Sequence, residues 1–226
     1  MQNKSFYWII GVVLVFVVFL GAAAYFKGSS SNGLPIPGPN IEAIDQVRGN
    51  GKVVLMEYSD FQCPACKAYF PLVEELIKEM GDKITFVYRN FPLTQHANAQ
   101  VSARAAEAAG RQGKFWEMYQ KLFENQDTWA ELSSSEAGAI FKGYAKDIGL
   151  DLSKFDSDYV DPNIKGKILN DYKSGINLKV EGTPTFFLNG KKIVSPQNLE
   201  EFKKVIEAAA LATTGTPAIS ATSTVN

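Results

Sequence analysis

Residues 57–70 read EYSDFQCPACKAYF and contain both cysteines of the 226-residue chain, Cys63 and Cys66. Two cysteines separated by two residues occur in metal sites, in c-type haem attachment sites and in redox couples, and a pair can also form a structural disulfide. The stretch follows the apolar run 53–56, which is typical of a strand buried on both faces. Glu57 therefore falls in a predicted buried strand, where an acid is costly unless it is paired or protonated.

Three of these uses of the cysteines fit the sequence poorly. A structural zinc site needs four ligands, and besides the two cysteines the chain offers only one histidine, His96. A c-type haem site requires histidine directly after the second cysteine, where this chain has Lys67. A disulfide across two residues closes too short a loop to stabilise the fold much. We therefore predict a redox couple, with no metal and no cofactor.

The position of Cys63 supports the redox interpretation. Apolar residues from Tyr69 to Met80 recur at helical spacing, so Cys63 stands where a helix begins after a buried strand. Unpaired N–H groups and the positive end of the helix dipole favour a thiolate at this position. Cys63 is thus the predicted nucleophile, and Cys66, one turn further along, is the predicted resolving thiol. Pro64 occupies the first turn, where a missing N–H costs little.

The rest of the chain divides by composition. A net charge of −1 shows no basic excess, so nucleic acid is not an expected partner. Residues 6–26 carry no charge and are long enough to cross a bilayer. We predict a membrane anchor at 1–26, with a cleaved signal peptide as the alternative. Either one places the remainder outside the cytoplasm, as a flexible linker at 27–40, a folded domain at 41–211 and a disordered tail at 212–226.

The folded domain has an α/β pattern. Strand-like runs alternate with amphipathic helices, and Asn189-Gly190 is a strong hairpin signal between the last two strands. The order is strand, helix, strand, several helices, hairpin and helix. This order predicts a small mixed sheet with helices on both faces. The predicted strands are 53–58, 84–88, 185–188 and 191–194.

Two motifs carry a family resemblance. YSDFQCPAC at 58–66, together with VEGTPTFFLNGKKI at 180–193, resembles the DsbA-like branch of the thioredoxin fold, and more closely the membrane-tethered disulfide oxidoreductases of bacteria. The resemblance covers about 41–211. It implies a thioredoxin-like mixed sheet flanked by helices, with a helical insertion at about 94–165.

The resemblance also implies a substrate-binding surface. The residues alone leave Pro184 open as an ordinary strand-edge proline. In the family the bond between Thr183 and Pro184 is cis, faces the cysteines and pairs with an extended substrate segment through backbone groups. We therefore predict a substrate-binding surface that includes Thr183, Pro184, Gln62 and Pro64.

Three further residues have an open role. Strand alternation alone could turn Glu57 toward an edge or toward solvent, whereas the resemblance implies an acid behind the cysteines that accepts a proton from Cys66. Asp60 is interpreted as a loop or capping residue that could also bias Cys63. His96 is interpreted as a capping or surface residue, and no chemistry is assigned to it.

The predicted function is extracytoplasmic thiol–disulfide oxidation of exported proteins by a Cys63–Cys66 disulfide. The resemblance implies a membrane partner that passes electrons to a quinone, and a single-pass protein in the cell membrane. Strongly oxidising DsbA proteins have histidine where Ala65 stands, so we expect a less extreme potential. A reductase or isomerase, and a non-catalytic tethered binding or chaperone module, are the alternatives.

Overall fold

The computed structural model describes Gly38 and residues 40–214. The predicted anchor at 1–26, most of the predicted linker and the last twelve residues, 215–226, lie outside this part of the chain. Among the residues described, no helix is both long enough and apolar enough to cross a bilayer.

A five-stranded mixed sheet forms the centre of the fold, with strand order β1-β3-β2-β4-β5. Strands β2 and β3 are parallel and every other pair is antiparallel. A parallel pair needs a crossover connection, which helix α1 (Pro64–Met80) provides. The strands are β1 (Gln46–Gly49), β2 (Val53–Ser59), β3 (Ile84–Asn90), β4 (Thr185–Leu188) and β5 (Lys191–Lys192). The predicted α/β mixed sheet is confirmed.

Two strands differ from the prediction. Strand β1, which pairs with β3, was not predicted, because its four residues QVRG alternate between half-buried and exposed and contain no apolar run. Strand β5 ends at Lys192 rather than at residue 194. Both are short strands at the edges of the sheet, and their extents depend on pairing with β3 and β4 rather than on a pattern in their own sequences.

Six helices connect β3 to β4, and one more follows the hairpin. Helices α2, α3, α5 and α6 pack on one another, while α7 packs against β3. The last helix, α8, continues beyond residue 211 to Thr214. The seven helices are α2 (Ala99–Gly110), α3 (Phe115–Glu124), α4 (Gln126–Trp129), α5 (Ser134–Asp147), α6 (Leu152–Tyr159), α7 (Pro162–Asn177) and α8 (Leu199–Thr214).

Strand β2 is buried on both faces, as its continuous apolar run predicts. Leu55 packs into the larger core with α1 and α8, whereas Met56 and Tyr58 pack into a second core with Val180 on the opposite face. Side chains two residues apart on a strand share a face. Glu57 therefore lies on the α1 side of the sheet.

A buried ionic network joins the helices between β3 and β4 to the end of β3. The ammonium group of Lys167 on α7 lies 2.6 Å from a carboxylate oxygen of both Glu107 on α2 and Asp171 on α7. The side-chain amide of Asn90 donates to the same two carboxylates. Since Asn90 is the last residue of β3, the network fixes the helical layer near the carboxyl ends of the parallel strands.

Candidate active site

Cys63 is the residue that caps the N-terminus of helix α1. Strand β2 ends at Ser59, a three-residue loop follows, and Cys63 has an extended backbone with φ −69° and ψ 123°. Pro64 begins the helix, as predicted. Both cysteines are free thiols, with Cys63 6% exposed and Cys66 1% exposed. Only Cys63 lies within reach of a substrate.

The surroundings of Cys63 favour its thiolate. A hydrogen bond from the Cys66 thiol is the largest cause that lowers the pKa of Cys63. A side-chain hydrogen bond with Thr183 and then the backbone N–H groups of Cys66 and Ala65 lower it further. Partial burial opposes them, and the resulting pKa is about 5. Cys63 is therefore a thiolate at neutral pH, as a nucleophile must be.

Cys66 has the opposite character. Burial raises the pKa of Cys66 well above its ordinary value, and both its hydrogen bond to Cys63 and the negative charge of Glu57 raise it further. Cys66 therefore remains a protonated, inaccessible thiol while Cys63 is ionised. The two thiols thus differ in ionisation and in access, and their roles as nucleophile and resolving thiol stay predictions.

Glu57 lies behind the cysteine pair and is 2% exposed. Burial raises its pKa to about 7; a hydrogen bond with Ser59 lowers it and the charge of Cys63 raises it. Within the described part of the chain, one carboxyl oxygen of Glu57, the hydroxyl of Ser59 and the hydroxyl of Tyr88 are buried without a well-aligned hydrogen-bond partner. The alternative that Glu57 faces solvent or an edge is wrong, because its side chain is buried and β2 lies between β3 and β4 in the middle of the sheet.

The predicted substrate loop adjoins Cys63. The bond between Thr183 and Pro184 is cis, as the resemblance implies. Strand β4 pairs with β2 so that Thr185 lies opposite Tyr58, which brings this loop to the catalytic end of β2. The Cys63 sulfur lies 3.5 Å from the carbonyl oxygen of Thr183.

Comparison with known proteins agrees with this geometry. The family model described as thioredoxin matches residues 46–208, which is most of the chain. The chain belongs to the thioredoxin family.

Two solved structures show which branch of that fold is similar. A variant of alpha-DsbA1 from Wolbachia pipientis, in which alanine replaces two cysteines, is 25% identical, with a TM-score of 0.65 over 81% of this chain and 97% of that one. BdbD from Bacillus subtilis, in its oxidised form, is 22% identical, with a TM-score of 0.65 over 78% and 98% of the two chains. The fold is DsbA-like, and the domain carries the dithiol site of a thiol–disulfide oxidoreductase.

The curated relatives are longer proteins. One from Salinispora tropica, named Na(+)/H(+) antiporter NhaA 3, is 38% identical over 168 residues, which are 73% of this chain and 24% of that protein. One from Salinispora arenicola, named Na(+)/H(+) antiporter NhaA 1, is 39% identical over 168 residues, which are again 73% of this chain and 24% of that protein. The chain thus spans about a quarter of the length of these relatives.

Gln62 of this thioredoxin-family domain has both polar atoms of its side-chain amide bonded within the protein. Its side-chain amide donates to the carbonyl oxygen of Ala130 at 2.7 Å and accepts from the N–H of Asn98 at 2.5 Å. Pro64 and Ala65, by contrast, are exposed beside Cys63. The roles of Gln62 and Pro64 in binding substrate stay predictions, and the geometry favours Pro64.

Asp60 is the loop residue that the sequence suggested, with an unexpected partner. Its carboxylate accepts from the N–H groups of Gln62 at 2.8 Å and Leu93 at 2.9 Å, and it lies 2.7 Å from Nδ1 of His96. Burial raises the pKa of Asp60. His96 therefore joins two loops beside the cysteines, where the sequence suggested only a capping or surface residue.

Helix α4 contributes contacts that the sequence analysis missed. The amide of Gln126 donates to the carbonyl oxygens of Phe61 and Cys63, at 2.7 Å and 3.1 Å. The exposed Asp127 carboxylate lies 2.5 Å from the ammonium group of Lys67 on α1. No motif marks these two residues, because they reach the site only through the folding of the helical layer onto it.

Proposed function

We propose that the chain is an extracytoplasmic thiol–disulfide oxidase that introduces disulfides into exported proteins through Cys63 and Cys66. The observation that carries the proposal is the contrast between the two thiols. A pKa of about 5 at Cys63, beside a Cys66 thiol that stays protonated, stabilises the reduced form of the couple. Stabilising the reduced form makes the disulfide a stronger oxidant.

The size of the effect follows from the thiolate equilibrium. A pKa of about 5 instead of the ordinary 9.0 stabilises reduced protein roughly 100-fold at pH 7. For a two-electron couple, each tenfold change in the equilibrium constant is worth about 30 mV. The reduction potential of the Cys63–Cys66 disulfide therefore rises by about 60 mV. This favours oxidation of substrates even though Ala65 replaces the histidine of strongly oxidising DsbA proteins.

The reaction proceeds by two exchanges. A substrate thiolate attacks the Cys63 sulfur, the Cys63–Cys66 bond breaks, and Cys66 leaves as a thiolate that takes up a proton. The second substrate thiolate then attacks the substrate sulfur of the mixed disulfide, and Cys63 leaves as a stable thiolate. Two electrons pass from the substrate dithiol to the protein. Cys63, with its low pKa, is the better leaving group in the second step.

Glu57 is the proposed proton donor and acceptor for Cys66. Its pKa of about 7 lets it hold or release a proton at neutral pH. The carboxyl group gives a proton to Cys66 when that sulfur leaves. In the reverse exchange it accepts a proton from Cys66 as that thiol attacks the mixed disulfide.

The cellular setting is also a proposal. An anchor at 1–26 would hold the domain on the outer side of the membrane, and the DsbA resemblance supports a membrane reoxidase linked to quinone. Exposed Pro64 and the adjoining Thr183–Pro184 loop support extended protein substrates. Fusing a reporter that is active only outside the cytoplasm to the C-terminus would test the orientation, and an inactive reporter would contradict it.

Thiol trapping in the native cells tests the direction of the reaction. An oxidase rests mostly as the Cys63–Cys66 disulfide, whereas a reductase or isomerase rests mostly as the dithiol. The Cys66→Ser variant should accumulate mixed disulfides at Cys63, and Cys63→Ser is its matched control. A binding module without exchange chemistry would trap nothing in either variant.

A further inference from the structure

Helix α4 lies against the loop that carries the nucleophile. Its first residue, Gln126, is 3% exposed, although glutamine is usually a surface residue. Both donors of its side-chain amide reach the catalytic loop, with 2.7 Å to the carbonyl oxygen of Phe61 and 3.1 Å to that of Cys63. A buried amide bonded to the backbone of the nucleophile is well placed to act on it.

The Cys63 carbonyl oxygen accepts two hydrogen bonds. One comes from the N–H of Lys67 at 3.1 Å and belongs to the first turn of α1; the other comes from Gln126. The direction of this carbonyl sets the peptide plane from which α1 begins. Because Pro64 has no N–H, the first donors that can face the Cys63 sulfur are the N–H groups of Ala65 and Cys66.

The contact also fixes the loop before Cys63. The N–H of Cys63 donates to the carbonyl oxygen of Asp60 at 3.0 Å, so the loop is a closed turn. Gln126 bonds to this turn at two points, the carbonyl oxygens of Phe61 and Cys63. Without both bonds, the turn can rotate and the sulfur can move away from the helix N–H groups.

We propose that Gln126 is a positioning residue for the nucleophile, which holds the catalytic turn so that the N–H groups at the start of α1 face the Cys63 sulfur. The helical layer between β3 and β4 thereby tunes the reactive cysteine, in addition to covering the sheet. This role rests on Cys63 being the attacking thiol of the proposed function.

The Gln126→Met variant tests the role, because methionine has a similar length and volume but no donor. Thiolate absorbance of the reduced protein, followed through a pH titration, reports the ionisation of Cys63. We expect the midpoint to rise by about half a unit to one unit, the equivalent of one modest hydrogen bond. Alkylation at pH 5 should slow about two- to fivefold and change little at pH 8, where the thiolate is complete in both proteins.

A matched control lies in the same helix. Trp129→Phe removes one buried hydrogen bond, from the indole N–H to the carbonyl oxygen of Leu122 at 3.1 Å, without touching the catalytic loop. It should lower the melting temperature and leave the Cys63 titration unchanged. An equal shift in both variants would show general loosening and overturn the proposal.

Two further variants separate the possible failures. If Gln126→Met does not fold, Gln126→Asn replaces it, because its amide is one methylene too short to reach the turn. It should raise the midpoint of the Cys63 titration by the same amount. A folded Gln126 variant with an unchanged midpoint overturns the positioning role alone. Exchange activity that survives in Cys63→Ser would instead overturn the proposed nucleophile, and with it the proposed function.

Discussion

Cys63 and Cys66 have identical side chains but opposite protonation at neutral pH. The difference arises from one helical turn: Cys63 stands at the helix terminus, where N–H groups have no partner, and Cys66 lies inside the turn, against the buried sheet. The Cys66 thiol donates to the Cys63 sulfur, which in the proposed mechanism is also the sulfur that Cys66 attacks. Each residue thus contributes to the ionisation of the other.

The first prediction concerns this mutual effect. Replacing Cys66 by alanine removes the largest cause of the low pKa of Cys63, so the midpoint of Cys63 alkylation should move upward from about 5. The shift is measured with an uncharged alkylating reagent over a range of pH. A midpoint that stays near 5 would show that Thr183 and the helix N–H groups are enough to hold the pKa low without the Cys66 thiol.

The second prediction concerns Glu57. Glu57→Gln keeps the shape but cannot exchange a proton with Cys66, so resolution of a preformed mixed disulfide should slow about tenfold or more near neutral pH. Stopped-flow fluorescence over a range of pH measures the rate. Glu74→Gln, which alters a half-buried carboxylate paired with Arg48, is the control. Equal rates for wild type and Glu57→Gln at every pH would exclude proton transfer by Glu57.

Helix α7 shows how one element is fitted to the sheet. Its buried Gly175 faces Phe91 and Tyr58, and the backbone approaches them so closely that a side chain has no space. A Cβ atom at this position would lie 2.6 Å from two Phe91 ring carbons and 3.1 Å from a Tyr58 ring carbon. The glycine is therefore a packing requirement.

The third prediction follows from this close approach. Gly175→Ala should destabilise the protein by about 1–3 kcal/mol through overpacking, despite the better helix propensity of alanine. Gly166→Ala lies in the same helix, and no atom of the described residues comes within 4 Å of the added Cβ, so it should stabilise by up to about 1 kcal/mol. Urea denaturation measures both, and effects of the same sign would contradict the close packing of α7.

Across the whole molecule, the helical layer and the sheet are joined by buried charges. The Lys167 ammonium group is buried between two carboxylates, and their charges hold its pKa above the ordinary value, against the effect of burial. Burial raises the pKa of Asp171 to about 6. The network is therefore sensitive to the loss of any one member.

The fourth prediction tests that sensitivity. Lys167→Met leaves two buried carboxylates without their cation and should cost about 3–5 kcal/mol of unfolding free energy. Lys142→Met breaks an exposed ion pair with Asp156 and should cost less than about 1 kcal/mol. Urea denaturation at pH 7 compares the two, and equal costs would mean that burial of the network is unimportant.

The fifth prediction concerns the redox couple of the whole protein. Because the folded pKa of Cys63 lies below its ordinary value of 9.0, the stabilisation of the reduced protein is complete above about pH 9 and is lost as the pH falls to about 5. The potential should thus change by about 30 mV per pH unit above pH 5 and by about 60 mV below it. Equilibration with glutathione measures the slope, and one slope across pH 5 would contradict the low pKa.

Local patterns in the sequence were enough to predict the central part of the fold and the chemistry. The run 53–58, the helical spacing after Cys63 and the Asn189-Gly190 turn are such patterns, and the structure contains the elements that they predict. Cysteine spacing and the missing ligands likewise depend only on the residues present. The cis bond before Pro184 came from the family resemblance and not from any local pattern.

Which distant residues meet at the site depends instead on how the chain packs. Strand β1, the Asp60–His96 pair and the contact of Gln126 with Cys63 each join segments far apart in the chain. Their residue types are common on protein surfaces, so no local pattern distinguishes them. Their partners are selected when the helices pack onto the sheet, because burial then requires each polar group to find a partner.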